Sequence, residues 1–181
     1  MIAVIDNFLS KTYHKELFDV MNSTEFAWYF NSVISIKDTT DRGSMYEYGF
    51  THTFWDTEGI RNSQMAMFWK PGLLSIMDAV SEHQEATDPT ILRSRADMTM
   101  AAPGPFVHEP HRDFEFDNIS TILYLNDTDG DTILYDKNNA KEETISPKAN
   151  RLIVFKGNQL HTGCSPTITK NRIVINSNFI Y

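Results

Sequence analysis

From Thr90 to its end the chain is a succession of short strand-like runs separated by turn residues. This alternation constrains the fold more than any other feature. The runs are Ile91 to Met100, Ile119 to Asn126, Asp131 to Asp136, Glu142 to Ile145, Arg151 to Phe155 and Arg172 to Ile180. Each is of strand length and carries the β-branched and aromatic residues that suit a pleated surface. Asp129-Gly130 marks a turn between the second and third. Many short strands at this spacing build a sandwich or a barrel.

The first ninety residues read differently. Ile2-Ala3-Val4-Ile5 is a short strand, and Ser10 can cap a helix whose apolar positions are Tyr13, Leu17, Val20 and Met21. Phe26 to Phe30 and Met45 to Trp55 read as strands. A second helical region covers roughly Ile60 to Glu85, with a break at Pro71-Gly72, an apolar stripe of Leu73, Leu74, Met77 and Val80, and an end at Pro89. The expected architecture is therefore α+β, one domain over residues 1–181. Residues 1–90 give helical and strand support, and residues 91–181 a β core.

At 181 residues and 41% apolar content, the chain can bury a real core. Its formal net charge is −8, which gives it no means of neutralising many phosphates, so nucleic acid is not an expected partner. No apolar run reaches 18 residues, so no membrane span is expected. The first residues lack a basic segment, and Cys164 is the one cysteine. Both fit a cytoplasmic protein without disulfides.

Chemistry rests on the six histidines: His14, His52, His83, His108, His111 and His161. His111-Arg112-Asp113 spaces an imidazole and a carboxylate two residues apart. On a strand both would point to one face and could reach one metal ion. A second imidazole would complete two histidines and a carboxylate, which suits Fe(II) and leaves coordination positions open. With 24 acidic residues, a match to this pattern is expected about once by chance. His83-Gln84-Glu85 also fits, but at a helix end residues i and i+2 do not share a face. His108 reads as exposed, His14 and His52 as surface or packing residues, Trp55 and Trp69 as core, and Arg112 as pointing away from the metal face.

The ordered context separates the two matches. After His111 come Ile119 to Asn126 with Tyr124-Leu125-Asn126, the Asp129-Gly130-Asp131-Thr132 turn, His161 beyond Phe155-Lys156-Gly157, and Arg172 eleven positions later. This set resembles the 2-oxoglutarate/Fe(II)-dependent dioxygenases, in particular their prolyl 4-hydroxylase-like branch, over roughly Ala96 to Tyr181.

The resemblance implies a double-stranded β-helix, a jelly-roll or cupin-like barrel, with N-terminal helices packed on one sheet. It places the iron ligands and catalytic centre on His111, Asp113 and His161. The anchor for the cosubstrate carboxylate falls on Arg172 and a cosubstrate contact on Tyr124, with Asn176 assisting. It implies Fe(II), 2-oxoglutarate and O2, with ascorbate as a reductant. The expected activity is hydroxylation of an unactivated C–H bond in a peptidyl proline or a small amino-acid-like substrate. The presence of Asp113 separates the chain from related halogenases. Two departures stand out: Asp129-Gly130-Asp131-Thr132 replaces Gly-Gly-Glu-Thr, and Ala102 stands where many members have an aromatic before Pro-Gly. The alternative is a non-catalytic cupin-like module that binds a metal or ligand, in which Arg172 would have no acidic cosubstrate to meet. Substrate loops are expected between Phe30 and Thr90.

Overall fold

The computed structural model describes residues 2–34, 45–84 and 86–181. Glu85 of the second histidine–acid pair, and part of the expected substrate segment, lie outside them. In chain order the elements are β1 (Ala3–Ile5), α1 (Lys11–Met21), β2 (Tyr29–Asn31), β3 (Gly49–Trp55), α2 (Met65–Gln84) and β4 (Thr90–Met100). There follow β5 (Phe106–Val107), β6 (Ile119–Tyr124), β7 (Thr132–Tyr135), β8 (Lys141–Ile145), β9 (Arg151–Lys156), β10 (His161–Ser165) and β11 (Asn171–Ile180).

Two sheets result. The larger runs β1-β9-β6-β11-β4-β3-β2 and the smaller β5-β10-β7-β8. Neighbours pair antiparallel in both. This is the predicted double-stranded β-helix plan, with the N-terminal helices on one face of the larger sheet. Residues before Thr90 contribute three strands to that sheet beside the two helices, in keeping with the expected helical and strand support.

Alternation along β6, β9 and β11 divides the core in two. Leu123, Leu152, Val154, Ile173, Ile175 and Phe179 point outward and bury against Leu17 and Met21 of α1 and Trp69, Leu73, Ile76 and Val80 of α2. Ile122, Tyr124, Ile153, Phe155 and Val174 point inward and pack with Leu134 and Ile145 of the smaller sheet. Both faces of the larger sheet are covered, which is why these strands read as continuous apolar runs. Asn150, at φ 63°, ties the entry of α1 to the sheet. Its amide accepts from the Leu9 N–H at 2.8 Å and donates to the Leu9 carbonyl at 2.7 Å.

The expected break at Pro71-Gly72 does not occur; α2 runs through Pro71. Proline removes one ladder bond and crowds the preceding turn, but tertiary contacts repair the region. The Tyr13 hydroxyl donates to the Phe68 carbonyl at 2.8 Å and accepts from the Gly72 N–H at 3.2 Å, so it sits inside the opened ladder. Gly72 has a separate reason: a Cβ there would lie 2.1 Å from the Trp69 ring, which folds back over it. No helix among the described residues is long and apolar enough to cross a membrane.

Tyr13→Phe removes both bonds of the inserted hydroxyl while keeping its ring packing. Denaturant unfolding should show a loss of about 1–2 kcal/mol, and an unchanged midpoint would mean that the hydroxyl does not support the helix.

Candidate metal centre and its pocket

An antiparallel bridge joins the segment at His111 to the first residue of β10. The His111 N–H donates to the His161 carbonyl at 2.9 Å, and the reverse bond is also 2.9 Å. The two rings lie 4.7 Å apart. Each Nδ1 faces a carbonyl two residues upstream, Glu109 at 3.3 Å for His111 and Gln159 at 2.9 Å for His161. A carbonyl only accepts, so Nδ1 carries the proton in both rings and the Nε2 lone pairs are left for a metal.

Asp113 arrives differently from the expectation. It lies in an irregular segment rather than on a strand shared with His111, whose only ladder contact is the bridge to His161. Residues 108–118 cross from the end of β5 to β6, and Asp113 is positioned by what it touches. Its Oδ1 accepts from Arg93 Nη2 at 2.6 Å, and its Oδ2 from Ser120 Oγ and Asn178 Nδ2, both at 2.9 Å. Arg93, Asn178 and Ser120 are direct cross-strand partners on β4, β11 and β6. They make one polar row on the inner face of the larger sheet, and Asp113 docks on it. Asp113 Oδ2 then lies 3.8 Å from His161 Nε2. One ligand atom from each of His111, Asp113 and His161 falls within 4.8 Å of the others.

The electrostatics favour a cation. Burial alone would raise the Asp113 carboxyl, but His161, Arg93, Arg95 and the Asn178 bond hold it well below the usual carboxylate range. His111 is pushed down to about 4, first by burial and then by the neighbouring His161 ring, with Asp113 opposing. At neutral pH the centre therefore offers a neutral His111 imidazole and the Asp113 carboxylate, with His161 beside them.

At the other end of the same cavity lies Arg172, 6% exposed. Its Nη2 donates to Thr132 Oγ1 at 2.8 Å, and its guanidinium stands 5.4 Å from the centre of the Tyr124 ring. Its Nε is buried without a partner, and no carboxylate among the described residues pairs with it. Tyr124 donates to the same Thr132 oxygen at 2.6 Å. Thr132 Oγ1 thus accepts twice, which leaves its own hydrogen to donate into the cavity. Gly130 keeps this space open: a Cβ there would meet the Cys164 carbonyl at 2.5 Å and the Arg172 side chain at 3.1 Å. The cavity is therefore shaped for an anion at this end and a metal at the other.

Asn176 lines the same cavity between these ends, with its Oδ1 buried and unpartnered. The remaining histidines are elsewhere in role. His108 is buried rather than exposed, with Nδ1 3.0 Å from Glu47 and Nε2 3.0 Å from Ser165 Oγ, because β5 tucks it between the sheets. His52 is a packing residue bonded to the Ala27 carbonyl and Ser63 Oγ. His14 is half-buried on α1. Arg112 does point away from the metal face, and its Nε fastens the segment to the Asn158 carbonyl at 2.8 Å.

Sequence reasoning missed Arg93, Ser120, Asn178 and Thr132. Three of them had a readable signal: Ser120 and Asn178 are polar residues at inward positions of apolar strands, and Thr132 closes the turn that sets the Arg172 pocket.

The His111 shift predicts an acid-sensitive fold in chelator-treated protein. An unfolded histidine takes its proton near 6.5, but the folded His111 takes it only near 4. The unfolded state binds more protons between these values, so stability falls as pH drops from 6.5 to 4, by about 3 kcal/mol. Denaturant midpoints across this window should show the fall, and His111→Asn should flatten it.

Residues 98–180 match the family model described as the 2OG-Fe(II) oxygenase superfamily. No curated protein sequence matches the chain. Among solved structures, a Pseudomonas putida prolyl-4-hydroxylase is similar at TM-score 0.65 and 13% identity, covering 99% of this chain and 92% of that one. A viral collagen prolyl hydroxylase from Paramecium Bursaria Chlorella virus-1, solved as a 2-oxoglutarate complex, gives 0.62 and 14%, covering 99% and 96%. A Trichoplax adhaerens prolyl hydroxylase, in complex with a hypoxia inducible factor peptide, gives 0.64 and 15%, covering 99% and 83%. These likenesses share the fold, and the matched residues contain both histidines, Asp113 and Arg172. The family match thus takes in the β core that carries the site, and the solved structures share the fold of the whole chain.

Proposed function

We propose that this chain is an Fe(II)- and 2-oxoglutarate-dependent oxygenase that hydroxylates an unactivated C–H bond. His111, Asp113 and His161 hold the metal, and Arg172 holds the distal carboxylate of the cosubstrate. One observation carries the reading. Three donor atoms lie within 4.8 Å of one another, and the two histidines among them line one cavity with a buried guanidinium that has no carboxylate partner among the described residues. An unpaired buried cation is costly, and a dicarboxylate reaching from the metal to Arg172 removes that cost. A metal-binding module without catalysis gives Arg172 no anion to meet.

When bound, Fe(II) with 2-oxoglutarate and O2 supplies the oxidising chemistry, yielding succinate and CO2 beside the hydroxylated product. The chain's own residues do the rest. Glu109 and Gln159 carbonyls fix the two imidazole tautomers, so no proton competes with the metal at Nε2. Arg93 occupies one oxygen of Asp113 and leaves the other facing His161, which favours one-oxygen ligation. The Arg172 guanidinium offers a planar fork to the carboxylate, with the Thr132 hydroxyl as a further donor and Tyr124 setting its orientation. Ile122 and Val174 give the cavity part of an apolar lining. Ascorbate keeps the iron ferrous between turnovers in this reading.

The target is a peptidyl residue or a small metabolite rather than nucleic acid, in keeping with the net charge of −8. A cytoplasmic setting belongs to the same reading, since Cys164 has no cysteine partner in this chain and ferrous iron persists in reducing surroundings.

Arg172→Ala should raise the 2-oxoglutarate needed for half-maximal succinate release by about 30-fold or more, the scale of removing one partner from a buried charge pair. Fe(II) affinity by anaerobic equilibrium dialysis should change less than about threefold. Equal losses for both would make Arg172 a structural residue.

A further inference from the structure

A second pair of charges lines the cavity, and neither member hydrogen-bonds a residue of the metal centre or of the Arg172 pocket. Arg95 and Asp97 lie two residues apart on β4, so both side chains point inward. Both line the cavity with His111, His161 and Arg172. Arg95 Nε donates to the Asp97 carboxylate at 2.9 Å. Among the described residues the two terminal nitrogens of Arg95 have no hydrogen-bond partner, and Asp97 accepts from no other group. Directly across the strand pair from Arg95 stands Asn176, 7% exposed, with its Oδ1 buried and unsatisfied. Ile34, Phe50 and Met98 give this part of the cavity an apolar wall.

This arrangement presents a free donor fork, a carboxylate and an orphaned carbonyl acceptor within one short stretch of two paired strands. Asn176 is one row from Asn178, which holds Asp113, so the stretch borders the metal centre. A buried acceptor without a partner calls for a donor, and an open guanidinium fork calls for a carboxylate.

We propose that Arg95, Asp97 and Asn176 bind the two charged ends of a free α-amino acid. Its carboxylate meets the terminal nitrogens of Arg95, and its ammonium lies between Asp97 and Asn176 Oδ1. Its side chain runs along the apolar wall toward the histidines. A residue inside a peptide has spent both ends in neutral amides and leaves the charged pair without partners. The inference rests on the oxygenase reading and names its substrate class. It also moves Asn176 from the cosubstrate, where the sequence placed it, to the substrate.

The test is calorimetry on the full chain loaded with Fe(II) and 2-oxoglutarate under nitrogen. The probes are the twenty common L-α-amino acids, each added singly. Any that binds is compared with its N-acetyl and C-amide forms. The expected result is binding by one or a few free amino acids, weakened at least about tenfold by capping either end. Arg95→Gln should no longer distinguish the free acid from its amide, and Asp97→Asn should no longer distinguish the free amine from its acetyl form. Binding of capped forms as tightly as free ones, or of no free amino acid, overturns the proposal. The comparison of free and capped forms on the native chain decides the matter even if a variant does not fold. Heat from 2-oxoglutarate itself separates the two levels. If it binds and no amino acid does, this inference alone fails; if it does not bind, the oxygenase reading fails and takes this inference with it.

Discussion

Strand β11 lies between β4 and β6 with both faces covered, and the site depends on that burial. Its outward residues Ile173, Ile175 and Phe179 join the core under the helices. Its inward residues Arg172, Asn176 and Asn178 are polar and buried. Buried polar groups must be satisfied or they destabilise the fold. Asn178 is satisfied within the protein, by Ser120 and Asp113. Arg172 is half satisfied, by Thr132 and the Tyr124 ring. Asn176 keeps an orphaned oxygen. Within one strand, Asn178 is satisfied by the protein, whereas Arg172 and Asn176 keep buried polar atoms that it leaves unpaired.

The metal centre uses the same logic across the two sheets. The smaller sheet supplies His161, and the segment between β5 and β6 supplies His111 through two backbone bonds. Asp113 is the member of the group with no backbone bridge to fix it, and it is the one with the densest side-chain support. Three bonds from three strands replace the ladder that holds His161. Such support matters because a ligand displaced by an ångström holds its metal poorly.

Much of this was legible in the residues. Run-and-turn spacing after Thr90 made the β core readable because β6, β9 and β11 are buried on both faces. The ordered set from His111 to Arg172 named side chains that the fold brings near one another, since its members keep the spacing that two facing sheets require. Three things were not legible. Asp113 reaches the histidines through side-chain bonds across three strands, and the period-two argument does not describe that path. The helix through Pro71 survives because Tyr13, 58 positions away, fills the gap, and local propensity carries no such information. His108 is buried by the two-residue strand β5, too short to announce itself.

The central claim is that His111, Asp113 and His161 hold one Fe(II) that 2-oxoglutarate chelates, and it needs no substrate to be tested. Fe(II) and then 2-oxoglutarate are added to metal-free protein under nitrogen, and the visible spectrum is recorded. The account predicts saturation at one iron per chain, a metal-to-ligand charge-transfer band once 2-oxoglutarate is present, and loss of that band in Asp113→Ala. Iron bound without a band, or a band undiminished in Asp113→Ala, would contradict it.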